Sequence, residues 1–239
     1  MRTLIGINNL TVIDQMAYAN HIQFFYRLGK HYPKDEFILC NPRRMSIDKM
    51  RNFAAKAAME LECDYLMFID DDVLIPINAF QLLQEADKDI ISGITYIRGY
   101  PYPPMVFKWE YGDGFYYRDC LEHVDNNGLI QCDAVGFSCV LIKVSLLLKM
   151  RPPFFITAQN HTEDVYFCIR AIEQFPETTI YAHSLVQTEH ILGSETIHTS
   201  NLQFRKNYDL EICPELKKQT SKSVDRGQEY LDSVLANEI

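Results

Sequence analysis

Residues 64–76 read DYLMFIDDDVLIP. The run from Tyr65 to Ile69 is short, apolar and without helical periodicity, which predicts a buried β-strand. Three aspartates, Asp70 to Asp72, follow it directly. Open α/β sheets bind ligands beyond the carboxyl ends of their strands, so these aspartates are candidates for a ligand site. Adjacent like charges repel one another unless a divalent cation or solvent compensates them. The alternative is therefore a solvated acidic turn that caps a helix.

The segments around this stretch alternate between strand-like and helix-like patterns. We predict strands over 3–7, 37–40, 65–69, 89–92, 137–143 and 179–182, and helices over 14–28, 46–61, 78–85 and 163–175. Such alternation predicts an α/β fold with a mostly parallel sheet covered by helices on both faces. Between about 93 and 135, glycine, proline and aromatic residues predict loops and antiparallel hairpins. The chain reads as one domain over 1–195, and the more polar residues 196–239 as an extension packed on it or trailing from it.

Composition excludes several function classes. The chain has 239 residues, a net charge of -9 and 47% hydrophobic residues. Broad electrostatic binding to nucleic acid needs basic patches, which a net acidic chain opposes. Seven scattered cysteines without a CxxC pair predict neither a disulfide framework nor a zinc ribbon. We find neither a signal peptide nor an apolar run of the roughly 20 residues that a membrane span needs, which predicts a cytoplasmic protein.

Three further sites in the sequence carry chemistry that complements the aspartates. Arg51 and Asn52 lie in an alanine-rich predicted helix, the pair Glu163–Asp164 begins an amphipathic one, and His190 follows the last predicted strand. Arginine suits phosphate recognition, a carboxylate can accept a proton, and imidazole can bind a metal. Each site also has a structural alternative: an exposed helix face with ordinary surface charge, an acidic helix N-terminus, or a structural or solvent-facing histidine.

Taken in this order, the four sites resemble those of the GT-A glycosyltransferases, which bind nucleotide-diphosphate sugars on a Rossmann-like half. The resemblance covers residues 1 to about 195. It is greatest with small family-2-like members from bacteria and their viruses. It implies a mostly parallel central sheet flanked by helices, with a small antiparallel part on the acceptor side.

The resemblance also implies roles for individual residues. Asp70-Asp71-Asp72 resembles the DxD signature, so Asp72 would be the direct metal ligand, and Asp70 would face the donor ribose or the metal. The resemblance also places Asp71 among the donor-binding residues. The side chain of Asp71 points to the opposite face from those of Asp70 and Asp72, however, which favours contact with backbone or solvent. His190 would complete the metal shell, with His183 as the competing histidine.

The remaining motif residues would contact the donor and the acceptor. Arg51 and Asn52 resemble the pair that approaches the nucleotide. The sequence around Glu163 and Asp164 resembles the ED or TED motif, in which Asp164 matches the catalytic base. Glu163 is the alternative base or an acceptor ligand.

On the acceptor side, the stretch 133–137 resembles the family's acceptor lining, where Gly136 would let the backbone approach the sugar; a bulge is the alternative. An aromatic sugar platform or ordinary packing is open for five residues, namely Tyr96, Tyr100, Tyr102, Trp109 and Tyr111.

The function implied is metal-dependent transfer of a sugar from a nucleotide-diphosphate donor, with UDP-sugars favoured, to a carbohydrate or other hydroxyl acceptor, with inversion. The cofactor would be Mn²⁺ or Mg²⁺, and a histidine nitrogen ligand favours Mn²⁺. One alternative is a viral enzyme of the host cytoplasm that glycosylates hydroxymethylpyrimidines in DNA, a nucleic acid acceptor that the acidic charge disfavours. Another is a non-catalytic nucleotide- or carbohydrate-binding module. A nucleotidyltransferase is disfavoured, because no glycine-rich basic loop follows the first predicted strand.

Overall fold

The computed structural model describes residues 1–9, 12–42, 44–110, 114–117, 125, 127–157, 162–198 and 200–202. The helices are α1 (Gln15–His31), α2 (Ile47–Glu60), α3 (Ala79–Glu85), α4 (Val144–Leu147) and α5 (Glu163–Gln174). The strands are β1 (Arg2–Asn8), β2 (Glu36–Cys40), β3 (Tyr65–Asp70), β4 (Val73–Leu74), β5 (Ile90–Ile94), β6 (Val106–Glu110), β7 (Gly114–Tyr117), β8 (Leu129–Gln131), β9 (Ala134–Val135), β10 (Cys139–Lys143), β11 (Ile180–Gln187), β12 (Glu189–Leu192) and β13 (Glu195–Ile197).

A seven-stranded sheet forms the centre, in the order β2-β1-β3-β10-β5-β11-β8. Five of these strands run in the same direction, while β10 is antiparallel to both of its neighbours and β8 is antiparallel to β11. The predicted mostly parallel α/β sheet is therefore confirmed. The insertion of β10 between β3 and β5 was not apparent from the sequence, because an apolar strand reads the same in either direction.

The core lies on both faces of this sheet, since alternate side chains of a strand point to opposite faces. On β3, Leu66 and Phe68 belong to one buried cluster, which includes residues of α2 and α5. Met67 and Ile69 belong to the other cluster, which includes residues of α1 and α3. This two-sided burial explains why β3 is a continuous apolar run rather than an alternating one.

Two three-stranded sheets extend the central one. The sheet β7-β6-β9 contains the antiparallel hairpin predicted for this region, with Phe107 opposite Tyr117. The sheet β13-β12-β4 pairs His190 with Val73. Because β13 spans Glu195–Ile197, it crosses the predicted boundary at 195, and most of the predicted extension lies outside the described residues.

Within the described ranges, none of the helices combines the length and apolar character needed to cross a lipid bilayer. The described cysteines are free thiols: Cys40, Cys63, Cys132, Cys139 and Cys168.

Candidate active site

The acidic turn lies at the carboxyl edge of the sheet, between β3 and β4. Helix α1 holds the chain that leaves it. The buried His21 ring lies with Nε2 3.0 Å from the carbonyl oxygen of Val73. The Asn20 amide donates to the carbonyl oxygen of Ile75 at 3.0 Å and accepts from its N–H at 2.9 Å. These contacts fix the direction in which the chain leaves the aspartates.

A buried arginine joins the acidic turn to the Glu163–Asp164 pair. Arg51 is only 2% exposed. Its Nη2 lies 3.3 Å from Oδ1 of Asp70, and its Nη1 lies 3.2 Å from Oε1 of Glu163. The guanidinium carbon lies 5.4 Å from the ring centre of Phe68 and 5.3 Å from that of Phe137, within cation–π range. Segments far apart in sequence therefore meet at one cation.

The charge on Arg51 compensates for the burial of both carboxylates. Burial raises the pKa of Glu163, and Arg51 opposes that rise. Burial also raises the pKa of Asp70, again against the effect of Arg51. The amide of Asn8 lies 3.5 Å from Oδ1 of Asp70 and gives weak support. Arg51 is thus committed to protein carboxylates in this structure, and its predicted contact with a donor stays a prediction.

Asp164 lies beside this cluster at the start of α5 and is 8% exposed. Its Oδ1 accepts a hydrogen bond from the N–H of Val165 at 2.8 Å and another from the hydroxyl of Thr162. The positive end of the helix dipole also favours a negative charge at this position. The neighbours of Asp164 therefore orient it, and among the described residues it forms no ion pair, in contrast to Glu163.

A second cluster forms around Asp72. Its Oδ2 lies 3.6 Å from Nε2 of His190 and 3.0 Å from Nη1 of Arg98. The main chain reinforces the pairing, because the N–H of Ile191 donates to the carbonyl oxygen of Asp72 at 2.9 Å. Burial disfavours the charged form of Asp72, but His190 and Arg98 outweigh it and hold the pKa of this carboxyl below its ordinary value.

The tautomer of His190 suits metal binding. Its Nδ1 lies 2.8 Å from the carbonyl oxygen of Tyr96. A carbonyl can only accept, so Nδ1 carries the proton and donates it. Nε2 is therefore the nitrogen that faces Asp72: with a proton it can donate to the carboxylate, and without one its lone pair can bind a cation that Asp72 also binds. A backbone partner behind a histidine is the usual support for a metal ligand.

The described residues contain no group of three or more His, Cys, Asp or Glu side chains placed to hold a metal ion together. Asp72 and His190 nevertheless fit as a two-ligand site, because Mg²⁺ and similar ions commonly bind through one or two protein ligands plus substrate phosphates and water. Asp70 is tied to Arg51 in the first cluster, so its predicted metal contact stays a prediction, as do those of Asp72 and His190.

The other predicted residues have clear positions. Burial and then the neighbouring Asp72 and Asp70 raise the pKa of Asp71 to about 6. His183 lies in β11, where Nδ1 accepts from the N–H of Leu185 at 3.2 Å. These contacts do not test the predicted donor role of Asp71 or the metal role of His183.

Asn52 serves the loop that precedes α5. Its amide nitrogen donates to the carbonyl oxygens of Asp48 and Phe155, at 2.8 and 2.6 Å. Its Oδ1 accepts from the N–H groups of Phe154 and Phe155, at 2.9 and 3.2 Å. Both ends of the amide are engaged, which makes Asn52 a clamp on this loop, while its predicted donor contact stays a prediction.

Of the two alternatives left open for the aromatic residues, packing holds for two of the tyrosines. Tyr96 and Tyr102 are 7% and 4% exposed and belong to the hydrophobic core, so their rings cannot cover a sugar. Tyr100 is partly buried and packs edge to face against Tyr102, with 6.2 Å between the two ring centres. Their rings are mostly apolar, and burial in this cluster removes that apolar area from water. The side chain of Trp109 and all of Tyr111 lie outside the described residues.

The side chain of Met105 occupies the space beside Gly136. A Cβ on this glycine would lie 2.7 Å from Cβ of Met105. The glycine therefore allows close packing of Met105, rather than the approach of a sugar that the sequence suggested.

Sequence reasoning missed Arg98. It is the sole basic residue between 93 and 107, within a stretch rich in proline and tyrosine. A single basic residue in such a loop is the one sequence signal that could have indicated a functional role for Arg98.

No protein-family profile matches the sequence, and no curated protein sequence matches it. Among solved structures, A197 from STIV matches with a TM-score of 0.56 and 19% identity, over 84% of this chain and 91% of that one. The likeness is one of fold. A UDP-glucose pyrophosphorylase complexed with UDP-glucose matches at 0.42 with 8% identity, over 88% and 99% of the two chains. An inositol-1-phosphate CTP transferase from T. maritima matches at 0.44 with 9% identity, over 84% and 93%. The last two TM-scores are too low to support a functional argument.

Proposed function

We propose that this protein is a metal-dependent GT-A-type glycosyltransferase that uses a nucleotide-diphosphate sugar as donor and inverts the sugar configuration. The observation that carries the proposal is the position of Arg51, which lies within 3.3 Å of Asp70 and 3.2 Å of Glu163. The acidic turn and the Glu163–Asp164 pair therefore belong to one site, as the resemblance of the motifs requires.

The donor would bind beside Asp72 and His190, which have the charge and tautomer to hold Mn²⁺ or Mg²⁺. When bound, the ion supplies Lewis-acid stabilisation of the negative charge on a departing diphosphate. Arg51 holds Asp70 and Glu163 in place through its buried guanidinium. A UDP-sugar remains the favoured donor on the resemblance alone.

Asp164 would act as the catalytic base. It takes the proton of the acceptor hydroxyl while the acceptor oxygen forms a bond to the anomeric carbon. The bond from that carbon to the diphosphate oxygen breaks, and the nucleoside diphosphate leaves with the electron pair. Glu163 is tied to Arg51, so Asp164 is the carboxylate that is available for proton transfer.

A donor panel tests the proposal. UDP-, GDP-, TDP- and CMP-sugars are added with Mn²⁺, with Mg²⁺ or with chelator, and thermal stabilisation is measured. We expect one nucleotide class to raise the melting temperature in a metal-dependent manner, because a ligand of the folded state stabilises it. Failure of the three diphosphate classes with either metal would contradict the proposal, and so would binding of CMP-sugars alone, because these carry a single phosphate.

The donor identified in this way is then used in turnover assays on mixed carbohydrate acceptors. We expect Asp72→Asn to lose metal-dependent donor binding. Asp164→Asn should keep donor binding and lose transfer by about 10²- to 10⁴-fold, the contribution typical of general-base catalysis. Consumption of the nucleotide sugar only when inorganic pyrophosphate is added, with formation of a nucleoside triphosphate and a sugar 1-phosphate, would show a nucleotidyltransferase. Donor binding without turnover on carbohydrate or hydroxymethylated DNA would favour a binding module.

A further inference from the structure

Arg98 is presented at the site by a closed loop. The loop spans residues 95–105, and the N–H of Met105 donates to the carbonyl oxygen of Thr95 at 2.8 Å. A second backbone hydrogen bond joins Ile97 to Pro103 at 3.0 Å. The base of the loop is continuous with the candidate metal site, because the carbonyl oxygen of Tyr96 accepts from His190. The position of Arg98 is thus coupled to that of the histidine.

Arg98 and His190 approach the same oxygen of Asp72. The distances to Oδ2 are 3.0 Å from Nη1 of Arg98 and 3.6 Å from Nε2 of His190. A divalent cation bound by Asp72 and His190 would need this oxygen and would repel the positive guanidinium. Arg98 and the cation therefore compete for Asp72.

The two arginines of the site differ in their freedom to bind a ligand. The Arg51 side chain is 3% exposed and lies between two protein carboxylates. The Arg98 side chain is 51% exposed. A guanidinium has five N–H donors in a planar fork that matches phosphate oxygens. Arg98 can therefore leave Asp72 and engage a phosphate, whereas Arg51 would have to leave the core.

We infer that Arg98 exchanges partners during ligand binding: it pairs with Asp72 in the free protein and moves to the diphosphate of the ligand when a divalent cation occupies Asp72. This inference rests on the proposed function, and it assigns the cationic contact with the diphosphate to Arg98 instead of Arg51. The exchange keeps the site close to charge balance in both states, because the incoming cation pairs with Asp72 and the incoming diphosphate pairs with Arg98.

The inference predicts effects of opposite sign for two ligands. The test measures Mn²⁺ binding alone, by electron paramagnetic resonance, and UDP binding in saturating Mn²⁺, by calorimetry. In Arg98→Ala, Mn²⁺ alone should bind about two- to fivefold more tightly, because an exposed ion pair that competes for Asp72 is gone. UDP should bind about 10- to 100-fold more weakly, the usual effect of losing a hydrogen-bonded charge partner.

Controls separate a local effect from a general one. Arg27→Ala removes an exposed arginine from α1 and should leave both affinities unchanged. Arg98→Lys keeps the charge without the planar fork, so its UDP affinity should be intermediate. Uridine lacks phosphates, and its affinity should be equal in wild type and Arg98→Ala. Thermal melts confirm that each variant is folded.

The outcomes distinguish this inference from the proposed function. If wild type binds UDP with Mn²⁺ and Arg98→Ala binds both ligands as Arg27→Ala does, the exchange is overturned while the proposed function stands. Weaker Mn²⁺ binding by Arg98→Ala would also overturn it, because competition requires the opposite sign. If GDP or TDP replaces UDP as the wild-type ligand, the same measurements apply to that nucleotide; binding of CMP alone would overturn the inference, because CMP has no diphosphate. Wild type that binds no nucleotide with either metal removes both proposals.

Discussion

Replacement of Arg51 by methionine tests the buried charge cluster that Arg51 forms with Asp70 and Glu163. The substitution keeps an unbranched side chain between the two phenylalanine rings and removes the cation. Asp70 and Glu163, whose side chains are 23% and 8% exposed, then lose their compensating charge. Removing one partner of a buried ion pair typically costs about 3–5 kcal/mol. We expect the free energy of unfolding to fall by that amount at pH 7.5, measured by urea denaturation.

A matched control lies on the same helix. Lys56 Nζ is 3.6 Å from Oε1 of Glu60, and both side chains are well exposed, at 72% and 65%. Exposed pairs of this kind contribute about 0.3–0.5 kcal/mol. Lys56→Met should therefore lower the free energy of unfolding about tenfold less than Arg51→Met. Similar losses in the two variants would refute the idea that Arg51 neutralises a buried site.

The pH dependence supplies an independent check. Burial raises the pKa of Asp70 and Glu163 even with Arg51 present. Without Arg51, the folded-state pKa values lie still further above the unfolded ones, so the folded state binds more protons. Stability of Arg51→Met should then fall, relative to wild type, as the pH rises through the folded-state pKa values. The deficit should be smaller at pH 5 than at pH 7.5, and adding Glu163→Gln should reduce it.

Three further predictions concern the support of the site. Asn52→Ala removes four hydrogen bonds to backbone and should lower the free energy of unfolding by about 2–4 kcal/mol in urea denaturation; an unchanged denaturation midpoint would contradict its role as a clamp. Gly136→Ala should cost about 1–3 kcal/mol through overpacking, and less in a Met105→Ala background, which keeps Cβ of Met105 but removes the Cε and Sδ atoms that the new methyl would also meet; an equal cost in both backgrounds would exclude these two atoms as the cause. Burial lowers the pKa of His21, so wild type should lose stability as the pH falls below about 6.5, where only the unfolded state gains that proton. His21→Gln should flatten this loss, and a profile that stays parallel to wild type would rule His21 out as its source.

Much of the fold could be predicted because the relevant signals are local. The predicted strand at 65–69 and helix at 46–61 match β3 and α2 to within a residue at each end. Both depend on apolar periodicity and helix propensity, which neighbouring residues determine. The strand predicted at 179–182 extends to Gln187, and the short β4 and β12 were not predicted. These elements form through pairing with distant strands.

The residues of the candidate site could be predicted from the sequence, but the ion pairs between them could not. The sequence singled out Arg51, Asp72, Glu163 and His190, and the structure brings them into two neighbouring clusters at the end of β3. It could not indicate that Arg51 is buried between two carboxylates. Nor could it indicate that Arg98 shares the oxygen of Asp72 with His190, since no motif joins these residues along the chain.

By itself, the sequence determined that an apolar strand ends at Asp70-Asp71-Asp72 and that helices and strands alternate around it, because adjacency and periodicity are properties of short segments. Only the tertiary structure decided which aspartate meets which cation. The physical reason is that burial and charge pairing depend on through-space distances of a few ångströms between segments remote in sequence. Asp70 is held by a cation from the core, whereas Asp72 is held by one from the surface.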